Sequence, residues 1–291
     1  MNDDVTLPPH PPTTVTGEPA PVPGGPAGTV DPHVVASDAL ANLRDIGGRA
    51  AAGGRTVRRG VAYRSAELRA PAIADDPTIA RLGVRTVVDL RTDAERTALP
   101  DVLPAGARGL HADVLALTPQ APAADLTEIL RHPQEAEAVL VELDPSAQMR
   151  RTYVDLVVGD AGRAGYAALL REIVDADSAP VLYHCTAGKD RTGWATTVLL
   201  LAAGVDEAGV REEYLAVNPT VHAMYAPLLR QFAAVGGDPG LLVPLLEVRE
   251  EYLDAALGAV DQHFGSFDAY LTDGLGLTRL EIATLTDTLT S

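Results

Sequence analysis

Apolar positions change their period several times along the chain, and each change marks a predicted element. The run rich in β-branched residues at 84–90 ("VRTVVDL") predicts a buried strand, and 179–185 ("APVLYHC") predicts a second strand. Runs at 59–65 and 108–114 predict two more. Residues 76–83 predict a short helix that Gly83 ends. The stretch 118–160 reads as helical but broken. Asp144 can cap a helix whose first residue is Pro145, and Met149, Tyr153, Leu156 and Val157 then share one apolar face. Tyr166, Leu169, Leu170 and Ile173 stripe a helix over 163–174. Residues 192–203 are apolar nearly all round, which predicts a buried helix with Gly204 in its C′ position.

Downstream the pattern is helical only. A helix begins at Asp206, another covers 221–235 and stops at Gly236 and Gly237, and a long one covers 243–264. The capping box Thr278 to Glu281 opens the last. Strands alternating with helices predict an α/β fold, a mostly parallel central sheet flanked by helices, with a helical C-terminal extension. Residues 1–37 are rich in Pro, Gly and Thr and read as a disordered tail. Residues 38–291 read as a single domain.

Composition narrows the chemistry. The 291 residues are 46% hydrophobic and only 4% aromatic, so Leu, Val and Ala must fill the core. A net charge of -17 repels nucleic acid and anionic membranes. One cysteine excludes an internal disulfide framework and a thiolate zinc cluster. The start of the chain has neither a basic region nor an apolar core, so it does not read as a secretory signal. No stretch approaches the apolar length of a membrane span. The expected location is the cytoplasm, or outside the cell by a route without a standard signal peptide.

The lone cysteine stands in "YHCTAGKDRTGW", residues 183–194, between a predicted strand and a predicted helix. Ligands of parallel sheets bind at the carboxyl ends of strands. The helix start at Thr192 and Gly193 offers backbone N–H groups with no intrahelical partner, and a loop around them forms an anion cradle. Gly188 permits the sharp turn. Arg191 offers a planar fork matched to phosphate oxygens, and Lys189 adds a second positive charge. Amides and cations around a thiol favour the thiolate. Cys185 is then placed to attack phosphorus and form a phosphocysteine that water hydrolyses, with no metal and no cofactor required.

"HCTAGKDRTG" resembles the signature loop of the cysteine-dependent protein tyrosine phosphatases, whose core is Cys, five residues, Arg. More narrowly, the chain is similar to a bacterial tyrosine and dual-specificity family. "NLRDIGG" at Asn42, "YRSAEL" at Tyr63, "DLRTDAER" at Asp89 and the loop at His184 follow that family's order from about Ala41 onward. The resemblance implies that Cys185 is the nucleophile and Arg191 the phosphate clamp. His184 would brace the loop and Thr192 would hydrogen-bond the sulfur. Thr186, Ala187, Gly188, Lys189 and Asp190 would complete the substrate cradle. Lys189 matches a lysine of phosphatases that accept phosphoinositides, and a solvated surface charge is its competing reading.

The leaving oxygen needs a proton, for which Asp113 is the first choice and Asp93 the second. Asp190 would order the attacking water or brace the loop. Arg44, Asp45, Arg64, Ser65 and Asp89 read as structural, and the Tyr and Leu stripes as core. Helices within 218–264 read as packed core helices, and the resemblance allows a lid over the pocket as the alternative. The expected substrate is a phosphorylated protein or peptide, with inorganic phosphate as product. A phosphoinositide phosphatase and a catalytically silent phosphotyrosine-binding module are the competing readings. A sulfur transferase or arsenate reductase is a third, disfavoured because such chemistry wants other loop lengths or a second thiol.

Overall fold

A computed structural model describes residues 31–116, 140–142, 144–175 and 179–291. The expectations for residues 1–30, and most of the broken helical stretch from 118, lie outside the described residues. The proposed tail boundary at residue 37 falls inside the fold. Val35 N donates to Leu43 O and Asp45 N donates to His33 O, so residues 33–35 run against the first strand.

Five strands form one sheet: β1 (Arg44–Asp45), β2 (Ala62–Ser65), β3 (Thr86–Asp89), β4 (Arg108–His111) and β5 (Val181–His184). Their order is β1-β2-β5-β3-β4. β1 pairs antiparallel with β2, and the remaining pairs are parallel. The α/β expectation holds. β1 has no β-branched residue to announce it, and β4 stops at His111, short of the predicted 114.

Strand alternation sends neighbouring side chains to opposite faces. Ala62, Val88, Val181 and Tyr183 enter the larger core cluster, whereas Tyr63, Val87 and Leu182 enter the smaller one. Two short helices, α1 (Pro77–Leu82) and α2 (Asp93–Ala98), flank β3 in sequence. Asp76 caps α1 and Gly83 ends it at a φ of 64°, as its sequence predicts. The larger cluster is built with α3 (Pro145–Val158), α4 (Asp160–Val174) and α5 (Asp190–Ala202). Asp144 caps α3 ahead of Pro145. α5 is buried continuously from Thr192 to Leu200, which is what an all-round apolar helix requires.

The helical remainder comprises α6 (Glu207–Leu215), α7 (Asn218–Ala234), α8 (Pro239–Leu246), α9 (Glu250–Phe264) and α10 (Arg279–Leu289). The single helix expected over 243–264 is two helices. The side chain of Asn218 receives Val248 N and donates to Val248 O, both at 2.9 Å, which satisfies an extended peptide between them. α9 buries Tyr252, Leu253, Ala256, Ala259 and Val260 in the main core. The lid reading therefore narrows to α7 and α8, whose Phe232, Leu242 and Leu246 form a separate small cluster with Leu140.

The parallel register aligns Ser65, His184, Asp89 and His111 along one carboxyl edge of the sheet. The loops that leave this edge carry the residues singled out above.

Candidate active site

Cys185 follows the last residue of β5 and is 2% exposed. The loop between it and α5 is held from outside through its carbonyls. Glu67 N donates to Thr186 O at 3.1 Å. Asn42 Nδ2 donates to Ala187 O and Gly188 O, both at 3.1 Å, and Arg64 Nη2 donates to Gly188 O at 2.7 Å. In a trans peptide the N–H points opposite the carbonyl. The amides of Ala187, Gly188 and Lys189 therefore face away from the scaffold. Gly188 adopts a φ of 68°, and a Cβ there would lie 2.2 Å from Ser65 O. Only glycine lets the loop lie this close to β2.

Arg191 closes the loop. Its Nη1 donates to Glu95 Oε2 at 2.6 Å and its Nη2 to Glu95 Oε1 at 2.8 Å, a bidentate fork. Thr186 Oγ1 donates to the same Glu95 Oε1 at 2.5 Å. Arg191 Nη2 also donates to Thr186 Oγ1 at 3.2 Å, and none of the three contacts uses Nε. Glu95 is the N3 residue of a capping box with Thr92 at the start of α2. Its carboxylate is thus fixed twice, by Thr92 N at 2.9 Å on Oε2 and by the loop. Burial disfavours its charge, but the Arg191 hydrogen bonds and charge, with the hydrogen bonds of Thr186 and Thr92, together outweigh burial and hold the carboxyl well below the usual range. Burial likewise opposes the Arg191 charge, and the Glu95 bonds with the Cys185 and Glu95 charges push it up instead.

Behind the cysteine, His184 is fully buried. Its Nδ1 lies 3.1 Å from Cys185 O and its Nε2 3.0 Å from Asp101 Oδ2. Arg91 holds Asp101 and Asp89 together, donating to Asp101 Oδ1 at 2.8 Å and to both Asp89 oxygens at 2.9 Å. The "DLR" strand end thus fixes the imidazole by ion pairs. Thr192 Oγ1 is a buried hydroxyl with no hydrogen-bond partner among the described residues. An unpaired buried hydroxyl one turn into α5 has a donor to spare for the sulfur.

Residues 35–291 match the tyrosine phosphatase family. The chain belongs to that family. A Cupriavidus necator protein named as a tyrosine-protein phosphatase is 36% identical over 243 residues, covering 84% of each chain. The triple specificity protein phosphatase PtpB of Mycobacterium tuberculosis is 30% identical over 261 residues, covering 80% of this chain and 90% of its own. The solved structure of TpbA from P. aeruginosa in complex with pTyr is 25% identical, with a TM-score of 0.27, covering 71% of this chain and 96% of its own.

In this phosphatase the residues expected in the cradle run from Cys185 into the first turn of α5, and the two expected acids, Asp113 and Asp93, meet each other at the start of α2. Lys189 is 4% exposed rather than solvated, and its Nζ donates to Asp190 Oδ2 at 2.6 Å. Asp113, in the turn after β4, accepts Leu115 N at 2.8 Å on Oδ1 and Asp93 N at 3.2 Å on Oδ2. Asp93 is exposed, with its Oδ1 3.4 Å from His111 Nδ1.

Sequence reasoning missed Glu95, Asp101, Asn42 and Glu213. Glu95 had a local signal, the Thr92-x-x-Glu95 capping box, which announces a helix and not a clamp. Glu213 has none. It is 1% exposed and pairs with Arg44 at 3.5 Å, Arg64 at 3.4 Å and Arg49. Arg64, read as structural, thus links this buried ion cluster to Gly188 O. No helix among the described residues is long and apolar enough to cross a membrane.

Proposed function

We propose that the protein hydrolyses phosphotyrosine in proteins through a phosphocysteine on Cys185. The observation that carries this reading is the outward anchoring of the 186–188 carbonyls. It turns the amides of Ala187, Gly188 and Lys189 away from the scaffold, in the loop that directly follows the thiol. A phosphoryl group there has its equatorial oxygens on preorganised donors. Cys185 Sγ attacks phosphorus, the P–O bond to tyrosine breaks, and the leaving oxygen takes a proton. Water then attacks the phosphocysteine, inorganic phosphate leaves, and Thr192 Oγ1 hydrogen-bonds the departing thiolate. Asp190, in the loop, orders that water and takes its proton.

The proton for the leaving oxygen is assigned to Asp113. Its turn is tied by Asp93 N to the first residue of α2, two positions before Glu95. Both Asp113 oxygens are spent on backbone N–H groups in this conformation, so it serves as an acid once one of those bonds opens. The test is a panel of phosphotyrosine peptides, phosphoserine peptides and phosphoinositides. Phosphotyrosine is expected to turn over fastest, and a preference for either other class would overturn the specificity. The triple specificity in the name of the M. tuberculosis relative is the reason to include all three. Across aryl phosphates, Asp113→Asn should slow poor leaving groups by about a hundredfold and good ones far less. Equal slowing removes Asp113 as the donor.

α7 and α8 act as a lid over this pocket. Tyr225 of α7 packs against both the main core and the α7–α8 cluster. Burial, then the charges of Asp190 and Cys185, push its hydroxyl up. Gly236, at a φ of 93°, follows α7 and supplies the bend before α8. Amide exchange across 218–246 should slow when phosphate is added. Exchange that is uniformly slow without phosphate rules the lid out.

A further inference from the structure

Two tyrosines that the apolar pattern assigns to the core reach the catalytic loop with their hydroxyls. Tyr153 of α3 and Tyr214 of α6 are buried and meet edge to face, with ring centroids 6.2 Å apart. Tyr214 OH donates to Tyr153 OH at 2.7 Å, and Tyr153 OH donates to Asp190 Oδ1 at 3.0 Å. The other Asp190 oxygen accepts Lys189 Nζ. A phenol has one proton to donate and a carboxylate has none. Tyr153 must therefore spend its proton on Asp190, and Tyr214 must spend its own on Tyr153.

Phenylalanine would fill either site with the same ring. A buried hydroxyl adds a desolvation cost that only a hydrogen bond offsets. Here both offsets end on a single acceptor, Asp190, inside the catalytic loop. Successive donors in one direction polarise each other. Burial, then the nearby Asp190 charge, push both phenols up, so neither gives up its proton near neutral pH.

We propose that Tyr153, backed by Tyr214, is a positioning residue that holds Asp190 for the second half of the reaction. This rests on the phosphocysteine mechanism above. With Oδ1 on Tyr153 and Oδ2 on Lys189, the carboxylate cannot rotate, and its remaining lone pairs keep one direction. In the second step the water oxygen forms a bond to phosphorus and the P–S bond breaks. The electron pair returns to Cys185 as thiolate, and the water proton passes to Asp190 and then to solvent. The first step does not use this carboxylate.

The test is pre-steady-state and steady-state hydrolysis of p-nitrophenyl phosphate by Tyr153→Phe. In a two-step mechanism kcat/KM reports the reaction through phosphorylation of the cysteine, and slow dephosphorylation lowers kcat and KM together. The expected result is a fall in kcat of about tenfold, from loss of one hydrogen bond to a charged group. KM falls in parallel, and a burst of nitrophenol approaches one equivalent of enzyme. Tyr214→Phe keeps the bond to Asp190 but loses its polarisation, so it should show the same pattern more weakly. It carries the test alone if Tyr153→Phe fails to fold. The proposal is overturned if the loss falls on kcat/KM with no burst, or if both variants behave as wild type. A wild-type protein that releases no nitrophenol overturns the mechanism itself, a different result from either.

Discussion

Replacing Cys185 with serine is expected to leave the protein folded and to remove its turnover of aryl phosphates. The change swaps sulfur for a smaller oxygen at a buried site, and none of the loop anchors is made by the Cys185 side chain. The cradle should therefore survive. The nucleophile does not, because an alcohol lacks the thiolate's reactivity at neutral pH. Loss of an enzyme nucleophile costs on the order of 10⁴ to 10⁶ in kcat. The measurement is turnover of p-nitrophenyl phosphate beside a thermal melt and binding of a phosphotyrosine peptide. Inactivity with retained binding fits covalent catalysis. Near-wild-type turnover would remove Cys185 from the mechanism. A wild-type protein that binds the peptide and never hydrolyses it would instead be the silent binding module.

The second large effect is expected at Glu213, far from the chemistry in sequence. Its carboxylate faces Arg44, Arg49 and Arg64 in a site with almost no solvent. Glu213→Ala leaves those guanidinium groups with one carboxylate partner among the described residues, Asp31 on Arg44. Removing one partner of a buried ion cluster costs about 3–5 kcal/mol, because the remaining charges stay desolvated. For a chain of this size that lowers the melting temperature by at least about 6 °C. Activity should fall too, since Arg64 also holds Gly188 O. A melt within a degree of wild type would show that the cluster is solvated. The pH dependence follows from the same contacts. Burial opposes the Glu213 charge, but the arginines outweigh it and lower the pKa from its ordinary 4.5. The stabilisation is therefore complete above that ordinary value and is lost as pH falls through the lowered one.

How far the sequence reaches depends on how local each feature is. The catalytic loop is legible because strand, cradle and helix lie within a dozen consecutive residues, and the chemistry needs each residue at its offset. Caps such as Asp144–Pro145 and Thr278–Glu281 are legible for the same reason. Glu95 is not, because its partner Arg191 lies 96 positions away. Its spacing from Thr92 is explained fully by helix initiation. The break between α8 and α9 is hidden likewise, since Asn218 supplies it from 30 positions upstream. Tyr153 illustrates a different blindness. Its periodicity places the ring in the core correctly, and periodicity says nothing about where a hydroxyl points. Asp113 is singled out by its place at a strand end and by the loop where the family resemblance expects an acid, and that turn draws on Asp113 for its own backbone.

The strand order has a consequence for the order of assembly. β5 lies between β2 and β3, yet it is the last strand in the chain. Until it emerges from synthesis, β2 and β3 each present an unpaired edge, and no neighbour spans the gap between them. The strand that closes the gap is the one that carries Cys185 at its end. The loop anchors lie even earlier, with Asn42 meeting the loop across 145 residues. Such contacts pay a large loop-closure entropy and form late. Completing the sheet and creating the phosphate cradle are thus a single folding event, and a partly folded chain has no reactive thiol site to misuse.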